Sequence, residues 1–308
     1  MLRNPHIVVC AYHTVGYRCL QKLLDLGANI AAVFTHDDSP TEEIWFESVR
    51  DLAARHSIPC YSTDVNNPEN IDLIRRVAPD FLFSFYYRFM IKKEVLDIPA
   101  RGSLNLHGSL LPKYRGRVPV NWAVINGETE TGATLHYMVE KPDAGDIVDQ
   151  ERVGIDFADT SLDVFQKIAD AAVRIMNRSW PKLLAGTASR IPMKLSEGSY
   201  FGGRKPADGL IDWSKSACDI YNLVRGVTHP YPGAFTFFEG KKIYIWRAVP
   251  TEGHAGAGVP VSEEPLLVGT GSGLLEIESL QVEGEEELSA TQFIKRHQLR
   301  DKIFTREE

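Results

Sequence analysis

Three short segments of this 308-residue chain hold side chains whose types and spacing suit chemistry. In Ser103-Leu-Asn-Leu-His-Gly108, strand alternation turns Asn105 and His107 to one face and Leu104 and Leu106 to the other. An amide donor beside an imidazole is what acyl transfer to an amine requires. The amide can donate to the developing oxyanion, and the imidazole can move the amine's proton. The same pair could also serve only to satisfy polar groups near a strand end. Immediately downstream, GSLLPKYRGRVPVNW (108–122) is broken by Pro112, Gly116 and Pro119. That composition predicts a shaped loop leaving the carboxyl end of a strand, where open α/β sheets bind ligands. Its Lys113, Arg115 and Arg117 could meet a carboxylate or phosphate, or simply be solvated. Third, Lys141-Pro-Asp-Ala-Gly145 holds Asp143 in a Pro/Gly-bounded turn. A carboxylate there can accept a proton from an imidazole nitrogen, fix its tautomer and raise its pKa; an ordinary turn aspartate is the alternative.

The elements that must position these segments alternate between strand and helix signals, which predicts an α/β, Rossmann-like, mostly parallel sheet. Strands are expected at 6–12, 29–36, 59–63, 80–87, 102–109, 133–140 and 146–155, the last pairing antiparallel with a neighbour. Helices are expected at 16–26, 44–55 and 68–77. The longest, 161–185, has Asp159-Thr160 as its cap and Gly186 as its stop. Beyond 190 the texture becomes rich in Gly and Pro with short β-type runs, which suggests a small β-barrel-like domain of OB type. The expected organisation is a catalytic domain over 1–189, a linker over 190–203 and a C-terminal domain over 204–308. The first turn is AYHTVG (11–16) rather than Gly-x-Gly-x-x-Gly, which disfavours a nicotinamide dehydrogenase.

A formal charge of −7 disfavours a nucleic-acid partner. The C-terminal third does not reverse it, with 12 Lys+Arg against 16 Asp+Glu from residue 201, a balance of 12 − 16 = −4. No apolar run approaches the ~20 residues of a membrane helix, so no membrane partner is expected. The opening MLRNPHIVVCAYH lacks a signal-peptide pattern, and four scattered cysteines suit reduced thiols, which together predict a cytoplasmic protein.

Taken together, SLNLHGSLLPKYRGRVPVNWAVINGETETGATLH (103–136) and KPDAGDIV (141–148) closely resemble the folate-dependent formyltransferase family. That family includes methionyl-tRNA formyltransferase and the sugar-nucleotide formyltransferases. Its pattern is Asn-x-His on a strand, a Ser-Leu-Leu-Pro-x-Tyr-Arg-Gly loop and an Asp-Ala-Gly turn, all present here in order. DGLIDWSKSACDIYNLVRGVTHPYPGAFT (208–236) resembles the opening of the family's C-terminal domain.

The resemblance implies 10-formyltetrahydrofolate as co-substrate and Asn105, His107 and Asp143 as catalytic residues. It implies that Phe89, Met90 and Ile91 offer the backbone edge that holds the pterin. Arg117, Val139, Glu140, Lys141 and Pro142 would be further folate contacts. Tyr87 and Arg204 are candidates for the diphosphate of an amino-sugar nucleotide. No metal is expected, since His13, His36, His107 and His136 show no zinc-type spacing.

Within the family, AYHTVG (11–16), VFTHDDSPTEEIWFESVRDLAARHSIPCY (33–61) and FSFYYRFMI (83–91) resemble the branch acting on UDP-4-amino-4-deoxy-L-arabinose, and lipid A modification is implied by that likeness alone. Phe89 stands where that branch would have His. Asp37, Asp38, Glu42 and Glu43 stand where tRNA-directed members carry a basic insertion, whereas LLEIESLQ and ELSATQFIKRHQL (274–299) resemble the tRNA-directed terminal segment.

Overall fold

Short apolar runs alternating with amphipathic helices build the first part of the chain. The computed structural model describes residues 5–38, 44–297, 299 and 302–306, so Glu42 and Glu43 of the acidic stretch lie outside the described residues. In chain order the elements begin β1 (His6–Ala11), α1 (His13–Asp25), β2 (Asn29–Phe34), α2 (Val49–Arg55), β3 (Cys60–Tyr61) and α3 (Pro68–Val77). They continue with β4 (Phe81–Phe85), α4 (Lys93–Leu96), β5 (Ser103–His107), β6 (Arg115–Gly116), α5 (Pro119–Ile125), β7 (Glu130–Tyr137) and β8 (Ile147–Gly154). Next come α6 (Ser161–Ala185), β9 (Tyr200–Phe201), α7 (Ala217–Val227), β10 (Ala234–Phe238) and β11 (Lys241–Thr251). Last are β12 (Pro260–Glu263), β13 (Leu266–Gly269), β14 (Leu274–Val282), β15 (Glu287–Ser289) and α8 (Ala290–Arg296).

Two helix starts differ from the expectation. Helix α1 begins at His13 rather than Gly16. Helix α2 begins at Val49 rather than Ile44, because the Ser48 hydroxyl accepts from Asp51 N and caps it there. Helix α6 spans the residues expected, and Thr160 and Asp163 exchange reciprocal backbone-to-side-chain hydrogen bonds at its start.

The chain forms two compact units, Met1–Gly116 with Thr131–Gly154 and Phe165–Phe201, and Arg117–Glu130 with Ile155–Val164 and Gly202–Glu308. The first unit is a seven-stranded sheet in the order β3-β2-β1-β4-β5-β7-β8. Strands β1 to β5 pair in parallel, while β7 runs antiparallel to β5. The order reverses between β1 and β4, which makes the carboxyl edge beside them the natural ligand crevice. Alternation along β4 sets its burial. Phe81, Phe83 and Phe85 form one layer, with Phe81 and Phe83 meeting Trp180 of α6 edge-on, and Leu82 joins Val8, Cys10, Ile74 and Val95 on the other face. Burying each such ring contributes about 1.5–3 kcal/mol, so β4 is a rigid neighbour for β5.

The second unit is an antiparallel sheet in the order β10-β11-β14-β13-β12, with β15 beside β14. Helix α7, not anticipated from the sequence, packs on it through Ile220, Tyr221, Val224 and Val227, and Ser216 caps it from Asp219 N. Residues 117–130 group with this unit because α5 packs on α7 and the buried Asn121 Nδ2 donates to Gly226 O (2.9 Å).

Candidate active site

His107 ends β5 at the carboxyl edge of the first unit's sheet and is buried. Its Nε2 donates to the carbonyl of Tyr114 (2.8 Å), an oxygen that also accepts from the Ser109 hydroxyl. In the neutral ring this leaves Nδ1 with the lone pair. The loop carrying Tyr114 is fixed from far downstream. Tyr114 N donates to Ser199 Oγ (2.8 Å), Arg115 N donates to Ser199 O (3.0 Å), and β6 pairs in parallel with β9. Tyr114 and Phe201 stack with ring centroids 5.0 Å apart. Gly116 is required in this pairing: its φ is +99°, and a Cβ there would stand 2.2 Å from Phe201 O.

The same short strip holds the carboxylate, since Gly116 N donates to Asp143 Oδ2 (2.9 Å). Asp143 has a left-handed φ of +48°, which a short polar side chain tolerates better than a branched one. Gly145 follows because a Cβ there would lie 2.0 Å from Tyr137 O. The Pro-Asp-Ala-Gly segment is thus shaped to turn the carboxylate back onto the sheet. Asp143 Oδ1 stands 3.6 Å from His107 Nδ1, an ion-pair distance rather than a hydrogen bond.

A fourth side chain, which sequence reasoning missed, completes the cluster. His136 on β7 lies directly opposite Asn105 in the β5–β7 register, buried, with Nε2 also 3.6 Å from Asp143 Oδ1. Its Nδ1 donates to Tyr137 O (2.8 Å), so its Nε2 accepts from Asn105 Nδ2 (3.2 Å). That bond fixes which edge of the Asn105 amide carries the nitrogen and occupies one of its two N–H groups. A signal existed: His136 sits two residues after Thr134 on an expected strand, and an antiparallel pairing with β5 puts both on the Asn105/His107 face.

The electrostatics correct one expectation. Burial pushes the His107 pKa down, and this outweighs the upward pull of Asp143 and of the Tyr114 carbonyl, so the net shift is below the ordinary imidazole value. The tautomer is set by the Tyr114 carbonyl rather than by Asp143. For Asp143, burial acts upward, but His107, His136 and the Gly116 N–H together hold the carboxyl well below the usual carboxylate range. At neutral pH the site therefore holds a carboxylate beside a neutral imidazole.

The expected folate contacts divide between the units. Phe89, Met90 and Val139 are large apolar side chains left 42%, 64% and 47% exposed in the first unit, while Ile91 is buried in the core. Glu140 and Lys141 are exposed, and Pro142 is half-buried in the turn entering Asp143. Arg117 belongs to the second unit, where its stem lies against Gly203. The two diphosphate candidates are engaged within the chain. Tyr87 OH accepts from Val65 N (3.1 Å) and its ring stacks on His36, whereas Arg204 lies over the Trp122 ring and donates to Asp208 O. His36 accepts from Arg88 N, and burial with the nearby Arg88 charge lowers its pKa to about 4. A cavity of about 340 Å³ lined by Tyr12, His36, Phe46 and Arg50 opens nearby, but Asn105, His107 and Asp143 do not line it. Among the described residues no group of three or more His, Cys, Asp or Glu side chains is arranged to hold a metal ion. None of their helices is long and apolar enough to cross a membrane.

Solved structures share this fold at low sequence identity. WlaRD, a sugar 3N-formyl transferase solved with dTDP and 5-N-formyl-THF, aligns at 20% identity and a TM-score of 0.71, over 92% of this chain and 100% of its own. An N-formyltransferase from Helicobacter canadensis, in complex with folinic acid and dTDP-3-aminofucose, aligns at 18% and 0.68, over 92% and 99%. HypX from Aquifex aeolicus, in complex with tetrahydrofolic acid, aligns at 18% and 0.64, over 94% of this chain but 47% of its own. Residues 13–179 match the formyl transferase model, and residues 204–298 match the formyl transferase C-terminal domain. With more than half of its length inside the first match alone, the chain belongs to the formyl transferase family.

Proposed function

We propose that this protein transfers a formyl group from 10-formyltetrahydrofolate to the amine of a sugar nucleotide, UDP-4-amino-4-deoxy-L-arabinose in the first instance. The observation that carries the reading is the convergence of the Asn105 amide, the His107 imidazole and the Asp143 carboxylate at one sheet edge. The exposure of three large apolar side chains among the expected folate contacts, Phe89, Met90 and Val139, supports the folate reading. The sugar nucleotides and reduced folates bound to WlaRD and to the Helicobacter canadensis enzyme support the same substrate classes here. The arabinose assignment rests on the segments 11–16, 33–61 and 83–91. The chemistry suits the cytoplasm, where the four free thiols stay reduced.

In this mechanism the neutral amine attacks the formyl carbon and its proton passes to His107 Nδ1, because Nε2 is already committed to Tyr114. The resulting imidazolium sits 3.6 Å from the Asp143 carboxylate, which stabilises it. The second N–H of Asn105 donates to the tetrahedral oxyanion, a contact worth ~3 kcal/mol of barrier. Collapse of the intermediate returns the proton from His107 to the departing folate nitrogen. The formyl–nitrogen bond to folate breaks as the new amide forms, so atoms and charge balance.

A second reading, a dTDP-linked amino sugar as acceptor, is favoured by the ligands of those same two structures. The test is incubation with 10-formyltetrahydrofolate and a panel of acceptors, read by mass spectrometry for one added formyl group. The panel comprises UDP-4-amino-4-deoxy-L-arabinose, dTDP-linked 3- and 4-amino sugars, and methionyl-tRNA. Formylation of the tRNA alone would overturn the sugar-nucleotide reading.

A further inference from the structure

The turn Thr63-Asp64-Val65-Asn66-Asn67 precedes Pro68 of α3 and is dense in side chains that bond to nearby backbone. Asn70 of α3, buried, donates to Thr63 Oγ1 (2.8 Å) and to Asp64 O (2.7 Å), and Asp64 Oδ1 accepts from Asn66 N (2.9 Å). The turn is thereby rigid, and its Asn66 side chain reaches across to the segment after β4. Asn66 Nδ2 donates to Met90 O (2.9 Å), and Asn66 Oδ1 accepts from Lys92 N (2.8 Å).

Carbonyl of one residue and N–H of the residue two further on are the groups that a parallel neighbouring strand would bond. The Asn66 amide thus imitates a strand beside Ile91. In that pairing the peptide groups of the intervening residue face the opposite side, and among the described residues the N–H and C=O of Ile91 find no partner within the protein. The amide cannot turn over. A flip would set its oxygen against Met90 O and the Asp64 carboxylate, which accepts the other Nδ2 proton (2.7 Å).

We infer that Asn66 is a positioning residue for folate binding, holding residues 90–92 extended so that the Ile91 peptide presents a donor and an acceptor to the pterin ring. This rests on the proposed function, in which 89–91 is the pterin edge, and deepens it by assigning what shapes that edge. Tyr87 tacks the same two segments together through Val65 N, so the amide acts on an otherwise anchored strip.

The test compares the wild-type chain, Asn66→Ala and Asn66→Asp by calorimetric titration with folinic acid and by steady-state kinetics. Loss of the two clamp bonds is expected to raise the folinic acid Kd, and with it the KM for 10-formyltetrahydrofolate, by about tenfold. The kcat at saturating folate and the KM for the acceptor amine should stay within about twofold. Asn66→Asp keeps the acceptor for Lys92 N and the side-chain size but turns an oxygen on Met90 O, and its Kd should rise at least as far. An unchanged Kd in Asn66→Asp overturns the inference even if Asn66→Ala fails to fold. So does a variant whose kcat and acceptor KM deteriorate together with its folate affinity. Absence of folinic acid binding by the wild-type chain would instead remove the folate reading itself.

Discussion

His107 gives its Nε2 hydrogen to the main-chain carbonyl of Tyr114, 2.8 Å away, so a backbone atom and not the acidic partner decides which ring nitrogen is basic. A carbonyl cannot take up a proton at neutral pH, so Nδ1 keeps the lone pair of the neutral ring whatever the charge of Asp143. The two residues differ in task. Tyr114 sets the tautomer, and in the proposed mechanism Asp143 sets how well the imidazolium is tolerated.

Replacing His107 by Ala should lower kcat by about a thousandfold or more while leaving folinic acid affinity nearly unchanged. Turnover and calorimetric titration on the same preparation check this. Activity within a few-fold of wild type would take His107 out of the mechanism.

Asp143→Asn should cost roughly two to three orders of magnitude in kcat/KM and little in unfolding midpoint. It also removes the charge that pulls the His107 pKa upward. Burial already holds that pKa below about 6.5, so the acidic limb contributed by His107 lies below this value and moves lower still in the variant. Imidazole titration by NMR reads the shift, and an upward movement would contradict it.

His136→Ala frees the Asn105 amide to turn and should lower kcat about tenfold, with the folate KM unchanged. Asn105→Ala should cost about a hundredfold. If the bond to Asn105, rather than the approach to Asp143, carries the role of His136, the double variant should be barely slower than Asn105→Ala alone. Full additivity in this double-mutant cycle would assign His136 an independent role.

His36 supplies a pH dependence of stability separate from the chemistry. Its folded pKa of about 4 lies below the ~6.5 of an unfolded histidine, so below that value the unfolded chain binds a proton that the folded chain refuses. The stability contribution is complete above pH ~6.5 and is lost as the pH falls toward about 4. Asn in place of His36 should flatten urea midpoints measured across that window, since the amide keeps an acceptor for Arg88 N without titrating.

The parallel sheet was legible from the sequence because its strands are continuous apolar runs, β4 above all, and because α3 and α6 carry plain start and stop residues. Asn105, His107 and Asp143 were legible as motif residues. What remained hidden were long-range pairings. His136 needs the β5–β7 register to be seen, and Ser199 meets Tyr114 across eighty-odd residues. Helix α7 was legible in principle, with Ser216 three residues before Asp219 and Ile220, Tyr221, Val224 and Val227 at helical spacing, but the Gly/Pro-rich texture around it masked the signal. The Asp143–His107 distance depended on the αL backbone of Asp143 and the close approach at Gly145, neither of which spacing reveals.

The strip from Ser199 to Phe201, the last residues of the first unit, is what holds the Tyr114 loop beside His107. Asn105, His107, His136 and Asp143 all precede α6, whereas the bonds from Ser199 to Tyr114 and Arg115 and the Phe201 ring come from after it. Removing residues 199–201 would therefore take away this support while leaving all four polar side chains of the cluster in the chain.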